Sequence, residues 1–129
     1  MKKILITISL AALLLCGCAA GQSENTAYRQ ISQEQASQML QDEKEYILLD
    51  VRTQEEFAEG HIPGAICIPH EEITDADIPQ LPDKAQLILV YCRSGRRSKI
   101  AAEQLAKNGY TNVVEFGGVN TWTGELTKN

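Results

Sequence analysis

"LILVYCRSGRRSKIAAEQLAKN" (87–108) decides how this chain is built. Leu87 to Tyr91 form an unbroken apolar run, the strongest strand pattern in the sequence, and lead straight into Cys92. From Ser98 to Asn108 the pattern turns helical. Ile100, Ala101, Gln104 and Leu105 are expected to face inward or near it, and Gly109 to cap the end. A fully apolar strand followed by a tight loop and a helix belongs to a mainly parallel sheet covered on both faces. Cys92 then falls at the carboxyl end of a buried strand, where ligands gather in open α/β folds.

The loop gathers positive charge. Arg93, Arg96, Arg97 and Lys99 lie within seven residues of Cys92, yet the chain as a whole carries a formal net charge of −5. Like charges this close repel, so a thiolate, a bound anion or both must offset them. Free amide groups at the helix start point at the loop, and Gly95 lets the backbone bend so that several face inward. Such a cradle favours a thiolate nucleophile. The competing reading is an inert buried cysteine whose arginines point into solvent. Three arginines and a glycine directly after the cysteine at a strand-to-helix turn favour the nucleophile. Cysteine phosphatases use the pattern C-x5-R. Here the sixth residue after Cys92 is Ser98, and Arg97 comes one position too early. This tighter loop suits a cysteine carrying one extra sulfur better than a tetrahedral phosphate.

Working outward, "YRQIS" (28–32), "YILLD" (46–50), "AICIP" (65–69) and "NVVEF" (112–116) read as further strands. Ser32 with Gln35 and Thr53 with Glu56 have the spacing of capping boxes that open two helices; Gly60 ends the second. Residues 70–86 are acidic and punctuated by proline, so short turns and a solvated loop are expected there.

The N-terminus has a different composition. Lys2 and Lys3 precede an apolar run from Ile4 to Leu15, too short for the roughly 20 residues of a membrane span, and small residues follow. Residues 1–17 are therefore expected to be a secretion signal. Leu15-Cys16-Gly17-Cys18 is similar to a bacterial lipobox, which makes Cys18 the acylated mature N-terminus and 18–27 a flexible tether to a domain at 28–129. Loss of Lys2 and Lys3 without any acid would move the net charge from −5 to −7. The expected location is extracytoplasmic, anchored to the membrane by lipid alone. An acidic chain of 129 residues lacks the broad basic face that nucleic acid demands. Cys16 would leave with the signal and Cys18 be acylated, so only Cys67 and Cys92 remain as candidates for a disulfide.

Three segments carry a family resemblance. "LLDVRTQEEFAEGHIPGAICIP" (48–69), "YCRSGRRS" (91–98) and "GGVNTW" (117–122) resemble, in order and spacing, the signatures of single-domain rhodaneses, the thiosulfate-type sulfurtransferases. The resemblance implies a three-layer α/β fold with a central five-stranded, mainly parallel sheet. It also implies that the strand ending at Cys92 does not adjoin the Cys67 strand, which argues against a Cys67–Cys92 bridge. Cys92 would be the catalytic nucleophile that carries the persulfide. The 93–97 backbone, with Ser94 and Gly95, would stabilise it, and Arg93, Arg96 and Arg97 would draw in the donor. The implied partners are a small anionic sulfur donor and a thiol, cyanide or protein acceptor; no metal or organic cofactor is implied. Thiosulfate-specialised members typically place a second cation two residues after the cysteine, where this chain has Ser94. Mercaptopyruvate-specialised members carry Gly-Ser-Gly, of which this chain shares only Ser94-Gly95. The arginines favour thiosulfate as the donor. A persulfide carrier without turnover, and a cysteine phosphatase or arsenate reductase, are the alternative functions.

Asp50, at the end of its strand, either holds a loop arginine near the substrate or caps the turn into Thr53. Arg52 is expected to pair with Glu55 or Glu56. His61 and His70 read as turn residues, Cys67 as a small core residue, and Trp122 as packing onto the sheet or lining the rim of the site.

Overall fold

The computed structural model describes residues 27–129. The signal peptide, Cys16, Cys18 and nearly all of the expected tether lie outside these residues. Five parallel strands run β1 (Arg29–Gln30), β2 (Ile47–Asp50), β3 (Ile66–Cys67), β4 (Ile88–Cys92) and β5 (Val113–Gly118), in the spatial order β1-β5-β4-β2-β3. Because β2 separates β4 from β3, Cys92 and Cys67 sit on non-adjacent strands, and both are free.

Helix α1 (Gln33–Asp42) is opened by the expected capping box, in which the Ser32 hydroxyl accepts from Gln35 N–H and the Gln35 side chain accepts from Ser32 N–H. Thr53 and Glu56 do the same for α2 (Gln54–Glu59), which ends at Gly60. The third helix, α3, spans Arg96–Lys107 and begins two residues before the serine at which its pattern becomes readable. Arg96 and Arg97 therefore form its first turn, and the loop after β4 is only Arg93-Ser94-Gly95.

The sheet divides the core by strand alternation. Val90, Cys92 and Val113 face Ala101, Ala102 and Leu105 of α3, whereas Leu89, Tyr91, Val114 and Phe116 pack with Ala36 of α1. Two expectations need correction. Ile100 is 47% exposed, and the inward stripe of α3 is Ser98, Ala101, Ala102 and Leu105, a spacing of three and four residues that leaves Ile100 on the outer face. The segment 70–86 is more than a solvated loop: Ile73, Ile78 and Leu81 are buried and roof the α3 side of the sheet.

The C-terminal glycine pair locks the fold around the Cys92 loop. A Cβ on Gly118 would overlap the Arg93 carbonyl, which also accepts from Asn120 N–H at 3.0 Å. Neither backbone can withdraw without breaking the β4–β5 pairing, in which Cys92 stands opposite Gly118. Gly118→Ala is expected to cost about 1–3 kcal/mol or more through overpacking, read as a lower urea midpoint. A wild-type midpoint would show that the loop can move aside.

Candidate active site

The sulfur of Cys92 is enclosed where β4 turns into α3. Gly95 caps α3 with φ 102°, a left-handed conformation open to glycine and strained for other residues. That turn aims Gly95 N–H at Cys92 Sγ, 3.0 Å away. The thiol lies 3.3 Å from Ser98 Oγ, one helical turn into α3, and Cys92 is 0% exposed. A cleft of about 430 Å³ opens over the loop, lined by Arg93, Ser94, Arg96 and Arg97 together with Thr53 and His70. Arg93, Ser94 and Arg96 are exposed, and among the described residues neither Arg93 nor Arg96 forms an ion pair.

Arg97 is differently employed. Its Nη1 and Nη2 donate to Glu56 Oε1 and Oε2 at 2.8 and 2.9 Å, a two-pronged pair that ties α3 to α2 beside the cleft. The Arg97 hydrogen bond holds the Glu56 carboxyl far below its usual range, at about 2. Glu56 in turn favours the charge on Arg97, and the nearby Cys92 adds to the effect. The sequence reading pairs Arg52 with Glu55 or Glu56; the structure gives Glu56 to Arg97 and Asp50 to Arg52.

Arg52 turns back onto Asp50. Asp50 Oδ1 accepts from Arg52 N–H at 2.9 Å, and Oδ2 accepts from Nη2 at 2.6 Å, while Nη2 also donates to the Gly60 carbonyl at 2.7 Å. Asp50 is fully buried. Of its two expected roles, it closes the turn after β2 and holds no arginine of the Cys92 loop. His61 is likewise structural: its ring bonds the Phe57 and Asn129 carbonyls, each at 2.8 Å, and stacks on Phe57. His70 begins a 3-10 turn (His70–Glu72) and reaches the cleft. Trp122 packs against Phe116, 5.6 Å between ring centroids, on the face away from the sulfur.

Two thiols can be compared directly. Burial pushes the Cys67 thiol up to about 11, and the Asp50 charge adds to the shift. Its sulfur has no amide turned towards it and itself lies 3.5 Å from the Arg52 carbonyl, an acceptor. Of the two described cysteines, Cys92 is the one with an N–H donor aimed at it.

A buried carboxylate was missed. Glu115 of β5 is 3% exposed and accepts from Ser98 Oγ–H at 2.7 Å and from Gly117 N–H at 2.8 Å, directly behind Cys92. A signal was present: period-two alternation puts residue 115 on the same face as Val113, where a second apolar residue would be expected.

The pH dependence of the Arg97–Glu56 pair has a definite sign. Glu56 is depressed from 4.5 to about 2, so the pair's stabilisation is complete above pH 4.5 and is lost as pH falls towards 2. Glu56→Gln should destabilise the fold by about 1 kcal/mol at neutral pH, with the gap to wild type closing in acid. A gap that stays constant from pH 6 down to about 2 in urea titrations would refute this pairing.

Comparison with known proteins agrees with this geometry. The profile of the rhodanese-like domain family matches residues 32–125. Thiosulfate sulfurtransferase PspE of Escherichia coli (strain K12) is 41% identical over 71 residues, 55% of this chain and 68% of that protein. A sulfurtransferase of Allochromatium vinosum is 38% identical over 96 residues, 72% of this chain and 86% of its own. The crystal structure of a rhodanese-like domain protein from Staphylococcus aureus matches with a TM-score of 0.65 at 31% identity, covering 78% of this chain and 98% of that one. With the profile running from the first helical cap to beyond the glycine pair, this chain belongs to the rhodanese-like domain family, among relatives named as sulfurtransferases.

Proposed function

We propose that this protein moves sulfane sulfur through a persulfide on Cys92, taking it from a small anionic donor of the thiosulfate type. The observation that carries the reading is the Gly95 N–H, 3.0 Å from Cys92 Sγ at the head of α3. In loading, the Cys92 thiolate attacks the outer sulfur of thiosulfate. The new Sγ–S bond forms as the old S–S bond breaks, and its electron pair leaves with sulfite. Charge is conserved and comes to rest on the terminal sulfur of Cys–S–S⁻. The backbone of 93–97 and the positive end of α3 favour that anion, and fixed donors need no reorganisation as it forms. In discharge, cyanide or a thiol of a small molecule or protein takes the terminal sulfur and regenerates the thiolate.

Arg93 and Arg96, exposed over the cleft, draw in the donor and steady the departing sulfite. Arg97 contributes a charge held in place by Glu56. The phosphatase reading is disfavoured by the residue six after the cysteine: it is Ser98, whose hydroxyl lies 3.3 Å from the sulfur, and no arginine occupies that place. We place the activity outside the cytoplasm, tethered through a lipid on Cys18, on the strength of the N-terminal sequence.

Incubation with thiosulfate should add one sulfur atom to the purified protein, located on Cys92, absent from Cys92→Ser and removed by cyanide. Addition at Cys67, or release of phosphate from an aryl phosphate, would overturn the reading. The mature cellular protein should begin at an acylated Cys18 by mass spectrometry; a mature chain with Cys18 unmodified rules out the tether.

A further inference from the structure

We propose that the tether turns the Cys92 cleft away from the membrane that holds it, so that sulfur is exchanged with water-borne partners and not with groups at the lipid surface. This rests on the reading of Cys18 as the acylated N-terminus and goes beyond it in fixing which way the site faces.

The parallel sheet supplies the geometry. All five strands run the same way, so each begins on one edge of the sheet and ends on the other. The cleft is lined by chain that follows strand ends: Thr53 after β2, Pro69 to Glu71 after β3, and the Arg93 loop with the start of α3 after β4. The tether joins at the opposite edge. β1 opens with Arg29, opposite Val114 of β5, whereas Cys92 stands opposite Gly118, four residues further along that strand. Four residues are about 13 Å along the strand direction. The point of entry is fixed. Tyr28 packs half-buried against the core, and Arg29 Nη2 donates to Asn112 Oδ1 at 3.2 Å. Beside Arg29 lie segments that lead into strands, Asp42 to Glu45 ahead of β2 and Ala85 and Gln86 ahead of β4.

Length decides how far the domain turns. Cys18 to Ala27 is ten residues, which span at most about 35 Å and average about 17 Å as a coil. A folded domain the size of residues 27–129 is roughly 33 Å across. With the edge where strands begin towards the lipid, the tether needs no stretching. Turning the cleft to the lipid would carry the start of β1 to the far side of the domain. The tether would then be pulled almost straight, with loss of nearly all its conformational freedom.

Charge pulls the other way but from too far. The edge where strands begin carries Asp42, Glu43, Glu45 and Asp83 against Arg29 and Lys44, so anionic headgroups repel it. Arg93 and Arg96, exposed at the cleft, would be drawn to such headgroups. That attraction fades beyond about 8 Å at physiological salt, and the domain's own thickness keeps both arginines further out. The cleft therefore meets solutes and soluble proteins, and a thiol fixed in the bilayer faces the wrong edge.

The test uses the acylated protein in vesicles of equimolar phosphatidylethanolamine and phosphatidylglycerol that contain a lipid with a photoreactive headgroup. Cross-linked peptides are quantified against the same protein and lipid dispersed in detergent. Peptides holding residues 42–45 and 83–86 should be labelled about threefold or more above those holding 70–71 and 93–97. Equal or reversed labelling overturns the proposal. Insertion of about twenty Gly-Ser residues after Gly21 should erase most of the difference; an undiminished difference refutes tether length as its cause. A water-soluble thiol should discharge sulfur-loaded Cys92 equally fast in vesicles and detergent. A thiol on a lipid headgroup should do so about tenfold more slowly in vesicles, and equal rates for that thiol overturn the proposal. The mass of the same sample separates the two readings. An unmodified Cys18 removes the tether and this proposal together, whereas an acylated Cys18 with a lipid-labelled cleft removes the orientation alone.

Discussion

Everything at the site follows from how little chain separates β4 from α3. Three residues, 93–95, must carry the backbone from an extended strand into a helix. The turn is made by a left-handed Gly95, and its amide then points back at the last residue of the strand. A longer loop would let the cysteine face solvent; a shorter one would leave no amide to meet it. The same constraint brings the first helical turn against the sulfur, with its positive end and with Ser98, while its two arginines stand at the cleft. Gly118 completes the arrangement from outside the loop, where β5 passes too close to the Arg93 carbonyl for any side chain.

Charge is apportioned with similar economy. Asp50 fastens Arg52 and Glu56 fastens Arg97, so two of the acids near the site serve to fix cations. Arg93 and Arg96 are left to face the cleft. An acidic protein thereby presents a locally basic opening, the arrangement that concentrates anions at one spot without attracting polyanions generally. The two cysteines show that the effect is local. Cys67, on the edge strand and near the Asp50 charge, is pushed towards the neutral thiol, while Cys92 is met by an amide and a helix end.

The sequence was readable where a residue type admits few uses. Both capping boxes, the parallel strands and the cysteine at a strand end are local patterns, and each appears where local physics puts it. Arg96 and Arg97 carry no apolar periodicity, so the first turn of α3 is not legible in the sequence, and the exposed Ile100 mimics an inward residue where the small Ser98 and Ala102 take that place. Ile73, Ile78 and Leu81 were hidden among acids and prolines, since three anchors spaced along an irregular segment have no period to detect. Partner choice was the least legible. Arg52 has Asp50, Glu55 and Glu56 within a few residues, whereas Arg97 has no acid within four, and only the meeting of α2 with α3 assigns Glu56 to Arg97. Glu115 was visible as a charge in a strand, but its meaning depended on Ser98 arriving from another element.

The complete enclosure of Cys92 has a consequence of its own. Cys92 is fully buried and does not itself line the cleft, so an incoming molecule must bring its reactive atom past the side chains that do. A molecule that presents a single terminal atom end-on meets this requirement more readily than a broad one. The fold therefore acts as a gauge, and a large acceptor must offer its reactive atom on a thin extension before it can collect anything.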